Sequence, residues 1–442
     1  TKLADTAFSV ANSCRFNDGD SAELTRTLGT PTDADKWTLS VWIKRGVLGV
    51  SMAIADAASD GNNYTEIHFD TNDKLNWEEK HSNSYVMRLI TTRVFRDPSA
   101  WYHIVFTYDS GNATSGNRMR IYVNGTEETS FGTDSAPSQD LDSKFNSAIA
   151  HAIGSITPEG GTMYFAGYMT EVVMCDGQAY AASDFGEFDE DSPTIWKPKD
   201  VSGLTFGNNG FYMDFEASAN LGNDANGGTD WAESNLDATD QATDTPTNNF
   251  PTANPLLGGN ESQTFAQGNN SVNFGVASQW GYNSANFGMT AGKWYAEIKC
   301  AAIGGEAFIG IMTETDINLN HTSGGSARDW VGKGTDAIGY GQNGVIQKSY
   351  STVETVGTYS TNNIIGMALD LNSNTLQFYE DGASGGSAVA VTAGHTYFFA
   401  ASGYNNSRWE WNFGGSPAFT VSSGNTDNNG LGNFEFDPGD FL

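Results

Sequence analysis

Carboxylates are the side chains in this sequence best suited to catalysis, and their densest stretch, EFDEDS, occupies residues 187–192. Hydrolysis of a glycosidic bond uses two carboxyl groups on one face, and an E-x-D-x-x-E spacing along a strand can supply them. Ser192 stands where the third carboxylate of that spacing belongs, and Gly186 and Pro193 flank the stretch. These flanking residues favour a loop. We therefore expect a solvated acidic loop, no catalytic residue, and a protein that is not an enzyme.

Clustered oxygen ligands suggest a second chemistry, calcium binding. Residues 17–20 read NDGD, and Asp18 and Asp20 are the candidate ligands of this turn. Residues 189–191 form another acidic cluster, and neither cluster has the spacing of an EF-hand loop. Acidic turns are also expected by composition in a chain with 53 acidic residues. The sequence leaves a structural calcium ion open and points to no other cofactor.

Aromatic side chains beside polar ones could bind a glycan, because such sites combine apolar contact with a few placed hydrogen-bonding groups. The candidates are Trp77, near His81 and Tyr85; Trp330, with Arg328 and Asp329; and Tyr404, with Asn405 and Asn406. Trp77 alternates with Leu75 and fits a core strand equally well, and Trp330 fits the end of a sandwich. Tyr404, in SGYNNS, is the most loop-like of the three.

The cysteines and histidines do not indicate a metal site. Cys14, Cys175 and Cys300 lie in no Cys-x-x-Cys or Cys/His cluster, and the six histidines show no metal-ligand spacing. A bridge between Cys14 and Cys175 remains open, since both fall on predicted strands. Buried free thiols are the preferred interpretation.

Charge excludes some classes of partner. The chain has 53 acidic and 22 basic residues, a formal charge of −31. A deficit of Lys and Arg argues against nucleic acid and against adsorption to anionic membranes. No run of about eighteen apolar residues occurs, so we expect no membrane insertion. The acidity is interpreted as a solubility feature.

The elements that must position these residues are strands. Residues 101–109 and 118–123 alternate apolar and polar side chains, and Asn124-Gly125 favours a tight hairpin turn after them. Residues 364–382 repeat the same order of strand, turn, strand and Asp-Gly. Both stretches predict an antiparallel meander.

The sequence therefore predicts an all-β fold of two antiparallel β-sandwich (jelly-roll) domains. The first sandwich is predicted over residues 1–213 and the second over 265–419. Residues 214–264 are rich in Asn, Asp and Thr and poor in large apolar residues, which predicts an irregular linker. Residues 420–442 form a C-terminal tail.

Phrases of the first module resemble a known family. They are RFNDGDSAELTRT, WTLSVWIKRG, WYHIVFTYD, RMRIYVNG, YFAGYMTEVVMCDGQAY and SDFGEFDEDSPTIWKPK. Together they resemble the laminin-G-like, concanavalin-A-like domain of marine bacteriophage virion proteins, and TDTPTNNFPTANPL resembles the connector that follows it there. The closing GNFEFDPGDFL resembles a phrase that precedes more chain in those proteins, so we expect the sequence to be a fragment.

The second module resembles the SPRY domain, which is also a concanavalin-A-like sandwich. The phrases are GKWYAEIKC, AFIGIM, DAIGYG, NIIGMALDLNSNTLQFYEDG, HTYFFAAS and RWEWNFGGSPAF, in the order expected for that domain. SPRY domains bind ligands with loops between strands, which the resemblance carries over to Trp330 and Tyr404.

These resemblances imply a non-enzymatic phage virion structural protein, a fibre, tail or capsid-decorating component that attaches to a host-surface glycan or protein. A secreted bacterial adhesin or surface filament, and a polysaccharide depolymerase, are the alternatives. The implied location is the virion surface, with other virion proteins as partners, and the alternative location is the extracellular cell surface.

We expect a homo-oligomer, a trimer if the protein is fibre-like. The strands of the first module carry large residues on both faces, which predicts that this module serves docking and assembly. The loop aromatics of the second module predict that it recognises the ligand.

Overall fold

The computed structural model describes residues 8–257, 263–275, 280–317 and 330–442 of the 442-residue chain. The chain divides into two compact units, Thr1–Asn249 and Phe250–Leu442. Both are built of antiparallel strands, with short 3-10 turns at Asp18–Asp20, Ser115–Asn117, Thr157–Glu159, Ala182–Asp184, Ala238–Asp240 and Pro438–Asp440. The predicted all-β class is confirmed. Among these described residues, no helix is long and apolar enough to cross a membrane.

The first unit contains strands β1 to β18. In chain order they are β1 (Ser13–Phe16), β2 (Glu23–Thr27), β3 (Lys36–Arg45), β4 (Met52–Asp60), β5 (Asn63–Phe69), β6 (Lys74–His81), β7 (Ser84–Val94), β8 (Trp101–Asp109), β9 (Met119–Val123), β10 (Thr126–Glu127), β11 (Phe131–Ser135), β12 (Ala150–Ile153), β13 (Gly167–Asp176), β14 (Gly186–Phe188), β15 (Trp196–Pro198), β16 (Phe211–Met213), β17 (Ala232–Ser234) and β18 (Gln241–Ala242).

Two sheets of this unit pack face to face. Sheet 1 has the order β10-β9-β8-β3-β13-β1-β18, with β16 also on β13. Sheet 2 has the order β11-β7-β6-β5-β4-β12-β2-β17. Strand β3 shows why they form a sandwich, since Trp37, Leu39, Val41 and Ile43 all point into the shared core.

The predicted meander around β8 is confirmed. Strands β8 and β9 pair antiparallel, and β9 pairs with β10 across the two-residue turn. Asn124 has φ 47° and Gly125 has φ 80°. Two consecutive positive φ values define the turn that Asn-Gly accepts at low cost.

The outer face of sheet 1 is buried too, by chain that follows β13. Val105 and Val173 pack with Phe185 and Phe206 on this side. Trp42, Trp101 and Tyr168 pack with Ala242. Residues 214–249, most of the predicted linker, lie in the first unit and supply β17 and β18. The large residues on both faces of these strands are thus covered by the chain itself.

The second unit contains strands β19 to β32. In chain order they are β19 (Gln263–Ala266), β20 (Ser271–Phe274), β21 (Trp280–Ser284), β22 (Lys293–Ala302), β23 (Ala307–Thr313), β24 (Ile338–Gly341), β25 (Val345–Lys348), β26 (Ser351–Thr355), β27 (Ile364–Asp370), β28 (Thr375–Glu380), β29 (Ala383–Ser384), β30 (Val389–Ala390), β31 (Tyr397–Tyr404) and β32 (Ser407–Asn412).

These strands again form two sheets. Sheet 3 has the order β19-β20-β32-β22-β27-β28-β29, with β30 on β28, and sheet 4 has the order β21-β31-β23-β24-β25-β26. The predicted second meander is present as β27, β28 and β29. Trp409, Trp411 and Phe413 lie in the core between the sheets, as their alternation predicts.

The tail, residues 420–442, covers the outer face of sheet 3. The ring of Phe441 stacks on Tyr295 at 5.5 Å and lies 4.1 Å from the ring of Tyr379. The buried Glu297 carboxylate accepts hydrogen bonds from the backbone N–H groups of Glu435 and Phe436 at 3.0 and 2.8 Å. A buried acceptor that is satisfied by tail amides fixes the tail in place.

The three cysteines are free and buried, which confirms the preferred interpretation over a bridge between Cys14 and Cys175. Burial raises the pKa of Cys175 and of Cys300 to about 12. Thiols of this kind behave as small apolar core residues.

Candidate functional site

Alternation along sheet 4 places a second apolar cluster on the face away from the core. In β23, Ile309 and Ile311 point into the sandwich core, whereas Phe308 and Met312 point to the outer face. In β21, Tyr282 joins the same outer cluster. The period of two therefore gives this sheet an apolar outer face on which larger rings can rest.

Four aromatic rings form a continuous row on this face. Trp280 lies 5.7 Å from Tyr404 and 5.3 Å from Trp330, and Trp330 lies 5.7 Å from Tyr350. We call Tyr404, Trp280, Trp330 and Tyr350 the aromatic row. Phe308 supports it from below, with ring centroids 5.9 Å from both tryptophans. Tyr350 is 61% exposed, and the other three rings are half-buried.

Polar groups border the row. The Trp330 Nε1–H donates to Gln347 Oε1 at 2.8 Å, which fixes the orientation of the indole. The ammonium of Lys333 lies 5.2 Å from the Trp330 ring and 5.7 Å from the Tyr350 ring. Both distances fall within the range of a cation–π contact. The arrangement thus combines flat apolar surface with a cation and an amide.

The turn after β31 positions one end of the row. Asn405 and Asn406 have φ values of 56° and 66°, and Asn405 Nδ2 donates to the Gly304 carbonyl at 3.1 Å. Asparagine tolerates this left-handed conformation better than most residues. The turn therefore holds Tyr404 at the end of β31, beside Trp280. Asn405 and Asn406 act here as turn residues.

The structure brings together two of the predicted ligand-binding residues, Trp330 and Tyr404, through Trp280. Arg328 and Asp329 lie outside the described residues. Sequence reasoning missed Trp280 and Tyr350. Trp280 carried a signal, because WGYNS places it two positions from Tyr282 on a strand. Tyr350 carried none, because it reaches the row only through the turn between β25 and β26.

Trp77 is in a different place from the other candidates. It is fully buried in the first unit's core, where its ring meets Trp37 at 5.4 Å and Phe106 at 5.5 Å. A ring without exposed surface has no face to offer a ligand, so Trp77 is corrected to a core residue. Its neighbour Tyr85 is 48% exposed.

The two predicted acidic clusters differ in environment. Asp18 and Asp20 are exposed in the turn before β2. Within the described ranges, no group of three or more His, Cys, Asp or Glu side chains is arranged to hold a metal ion. Calcium binding therefore stays a prediction.

The predicted solvated loop at 187–192 is only partly solvated. Asp189 is buried and lies 3.4 Å from the ammonium of buried Lys197, which also contacts Glu187 at 3.5 Å and Glu190 at 2.5 Å. The backbone N–H groups of Asp191 and Ser192 donate to the Asp189 carboxylate. These carboxylates are held by a structural ion pair, because Lys197 reaches them from β15.

A further carboxylate group, which the sequence analysis missed, lies across sheet 2. Asp56 in β4 is directly opposite Glu66 in β5, and Glu66 is opposite Glu78 in β6. The residues that pair across these strands share one face. Along each strand they alternate with core residues such as Ile67 and Trp77. The signal was present only across strands, and a search along single strands could not find it.

The partners of these carboxylates define their charge. Glu66 pairs with His68 at 2.7 Å, and Glu78 pairs with Arg88 at 2.7 Å. Asp56 is fully buried, and its carboxyl group lies near the backbone N–H groups of Ala57 and Glu159. Burial, with the nearby charges of Glu159 and Glu66, raises the pKa of Asp56 to about 9. Asp56 is therefore a neutral acid at pH 7, whereas Glu66 and Glu78 each have a basic partner, His68 and Arg88.

Comparison with known protein families supports the fold predicted for the first unit. Residues 16–181 match the sequence profile of a family described as the Concanavalin A-like lectin/glucanases superfamily. The concanavalin-A-like fold predicted for the first module is thus confirmed. No curated protein matches the chain.

Three solved structures illustrate the similarity of the chain to known proteins. A putative carbohydrate binding protein from Bacteroides ovatus is 16% identical, with TM-score 0.34, over 51% of this chain and 58% of that one. The SPRY domain of human HERC1 is 13% identical, with TM-score 0.28, over 36% of this chain and 96% of that one. A SAP-like pentraxin from Limulus polyphemus, described as heptameric, is 17% identical, with TM-score 0.30, over 40% of this chain and 80% of that one.

The protonation of Asp56 gives a testable pH dependence. Asp56→Asn should match the wild type near pH 4 and become the more stable protein as pH rises towards 9. The folded wild type keeps a proton that the unfolded chain, with its ordinary pKa near 3.8, gives up. Its unfolding free energy therefore falls with rising pH, by at most about 1.4 kcal/mol per pH unit for one group. Denaturant unfolding at several pH values measures the difference.

Asp60→Asn, on the same strand, is the matched control. Hydrogen bonds from Asn62 and Asn63 lower the pKa of Asp60, so its replacement should lower stability at neutral pH. A pH-independent difference between wild type and Asp56→Asn would show that Asp56 does not hold this proton.

Proposed function

We propose that this chain is a non-enzymatic glycan-binding protein of a virion surface, with the aromatic row of the second unit as its recognition site. The observation that carries the proposal is the continuity of the row, in which four rings follow one another at 5.3 to 5.7 Å. A pyranose presents apolar C–H groups on its ring faces and hydroxyls at its rim. A row of flat rings with polar groups at its edge complements both.

Charge and preorganisation favour a sugar over an extended peptide at this site. The row rests on Phe308, and the indole of Trp330 is held by Gln347, so little side-chain freedom is lost on binding. Lys333 places a positive charge beside the row in a chain whose net charge is −31. The carboxylate or phosphate groups of a bacterial surface glycan would complement the charge of Lys333, so we propose an anionic surface polysaccharide as the ligand.

The virion location rests on the sequence phrases of residues 10–256. We propose that the first unit makes contact with other virion proteins and that the protein assembles as a homo-oligomer, a trimer if fibre-like. The exposed edges of sheets 2 and 4 support self-assembly, since unpaired strand edges invite pairing with another chain. A secreted bacterial adhesin would use the same sandwiches, and the virion assignment is preferred because the phrases occur in combination.

The burial and ion pairing of the carboxylates support a role without catalysis. General acid–base hydrolysis needs one ionised and one protonated carboxyl within reach of solvent-borne substrate. Glu66 and Glu78 are buried in ion pairs, and Asp56 is covered completely. The acidic loop at 187–192 is held by Lys197. These groups are arranged as structural networks.

Two substitutions test the recognition site. Tyr350→Ala removes the most exposed ring and leaves the packing on Phe308 intact, and Trp330→Ala removes the centre of the row. Each should weaken binding of an array-selected anionic polysaccharide by roughly tenfold or more, since the loss of one stacking contact is worth about 1.4 kcal/mol or more. Calorimetry on the full chain measures the affinity.

Trp294→Ala is the matched control, because Trp294 is a 38% exposed tryptophan on sheet 3 of the same unit. Its affinity should equal that of the wild type. Unchanged binding by Tyr350→Ala and Trp330→Ala, or an equal loss with Trp294→Ala, contradicts the assignment of the row.

If the protein lies on the virion surface, antibodies against it should bind to virus particles. Antibody against this chain should decorate virions in negative-stain images, at regular positions that reflect a symmetric scaffold. Label confined to bacterial cells, with bare particles in the same preparation, favours the adhesin instead.

The absence of catalysis predicts that host polysaccharide stays intact. Incubation with the full chain should release no reducing ends above a buffer control. If ends are released and Glu78→Gln abolishes the release, the protein is a depolymerase and sheet 2 is its active site.

A further inference from the structure

A lysine, an aspartate and an asparagine meet at one point of the first unit. The Lys44 Nζ atom lies 2.6 Å from Asp244 Oδ2 and 2.9 Å from Asn249 Oδ1. Lys44 lies in β3, the middle strand of sheet 1. Asp244 and Asn249 lie in the segment that covers this sheet. An amine thus touches both a carboxyl group and a carboxamide.

Water has little access to the amine and the acid. The side chains of Lys44 and Asp244 are each 1% exposed. Trp101 donates its Nε1–H to Asp244 Oδ1 at 3.0 Å, and the ring of Tyr168 lies 5.9 Å from the Lys44 ammonium. Burial lowers the pKa of Lys44, although Asp244 opposes the shift. Low polarity increases the supply of neutral, nucleophilic amine, and the Asp244 carboxylate is placed to accept the proton that the amine gives up.

The carboxamide is held in a defined orientation. Asn249 Nδ2 donates to the Ser99 carbonyl at 2.8 Å while its Oδ1 accepts from Lys44. Nζ thus lies beside the carboxamide, and rotation of the amide plane would turn the carbonyl carbon Cγ towards the amine. Asn249 is exposed, which gives a released ammonia a path to solvent.

We propose that Lys44 and Asn249 form an intramolecular isopeptide bond, with Asp244 as the group that carries the proton. Nothing in the proposed glycan site depends on this bond, and the two can be tested separately.

The reaction balances without an oxidant or cofactor. Asp244 takes a proton from the Lys44 ammonium, and the neutral Nζ attacks Cγ of Asn249. The tetrahedral intermediate collapses as the protonated Asp244 delivers a proton to Nδ2. Asp244 then takes the second proton from Nζ and passes it to the departing ammonia, which leaves as an ammonium ion. The Nζ–Cγ bond forms, the Cγ–Nδ2 bond breaks, and ammonia leaves. In total, one ammonium side chain and one carboxamide give one secondary amide and one ammonium ion.

Asn249 is the better electrophile of the two neighbours of Lys44. The Asp244 carboxylate carries negative charge and is engaged by both Lys44 and Trp101, which suits it to proton transfer within hydrogen-bond reach. A neutral carboxamide resists attack less than an anionic carboxylate does. The geometry thus gives each of the three residues one role.

The bond would join two residues that are 205 positions apart in the sequence, one in β3 and one at the end of the first unit. Such a cross-link holds the covering chain on sheet 1 even when the noncovalent contacts break. It restricts the unfolded chain, which is the usual source of cross-link stabilisation.

Intact mass measurement of the purified full chain tests the proposal. The wild type should weigh one ammonia less than its sequence, and Asn249→Ala should show no such deficit. Tandem mass spectrometry of a digest should find the Lys44 and Asn249 peptides joined. On a denaturing gel, the wild type should migrate faster than Asn249→Ala, because the closed ring keeps the denatured chain compact.

Two further variants make the test specific. Asp244→Asn should slow formation of the bond by roughly a hundredfold or more, since proton transfer of this kind contributes about that factor. Asn248→Ala, one residue from the electrophile, should keep the full deficit. A wild-type mass equal to that of the unmodified sequence would falsify the proposal. A deficit of one water instead places the bond on Asp244 and overturns the role of Asn249.

Discussion

Burial of a sheet on both faces is the constraint on which the rest of this structure depends. Strands of sheet 1 carry large apolar residues on alternate sides, with Leu39 in the core and Trp42 on the outer face. Each large apolar side chain removed from water contributes about 1.5–3 kcal/mol. The sandwich core can satisfy only one side, so the chain must return over the other. Residues 180–212, together with Ala242, do this in the first unit, and residues 420–442 do it for sheet 3 in the second.

Buried charges fix both returning segments. Lys44 meets Asp244 in the first unit, and Glu297 accepts tail amides in the second. Removing one partner of the Lys44–Asp244 pair costs about 3–5 kcal/mol, because it leaves an uncompensated charge. The apolar contacts supply the driving force for the cover, and the charges specify where it lies. The outer faces of sheets 2 and 4 are therefore where this chain carries its carboxylates and its aromatic row.

The sequence predicted what depends on local periodicity. The alternation in β3 and β8, the turn at Asn124-Gly125 and the free cysteines are all as expected from residue types alone. Trp77 was misplaced because alternation shows that two residues share a face without showing which face is the core. The contacts of Trp77 with Trp37 and Phe106 show that it faces the core, and these contacts exist only in the folded structure.

The candidate site was predictable only in part, because its members come from distant strands. Trp330 and Tyr404 stood out by their polar neighbours, yet the ring that joins them, Trp280, is 50 residues or more from both along the chain. The row of Asp56, Glu66 and Glu78 exists only through strand register, which no single stretch of sequence encodes.

The order of these segments along the chain also bears on synthesis. In each unit, the central strands of the doubly buried sheet are made before the segment that covers them. A ribosome that has released β13 but not residue 244 presents Trp42, Trp101 and Tyr168 to water without their complete cover. The same holds for Tyr295 and Tyr379 until Phe441 emerges. Folding of each unit is thus completed from its carboxyl end. Until the cover has emerged, the nascent chain stays unaggregated only if aggregation is slow or a chaperone is bound.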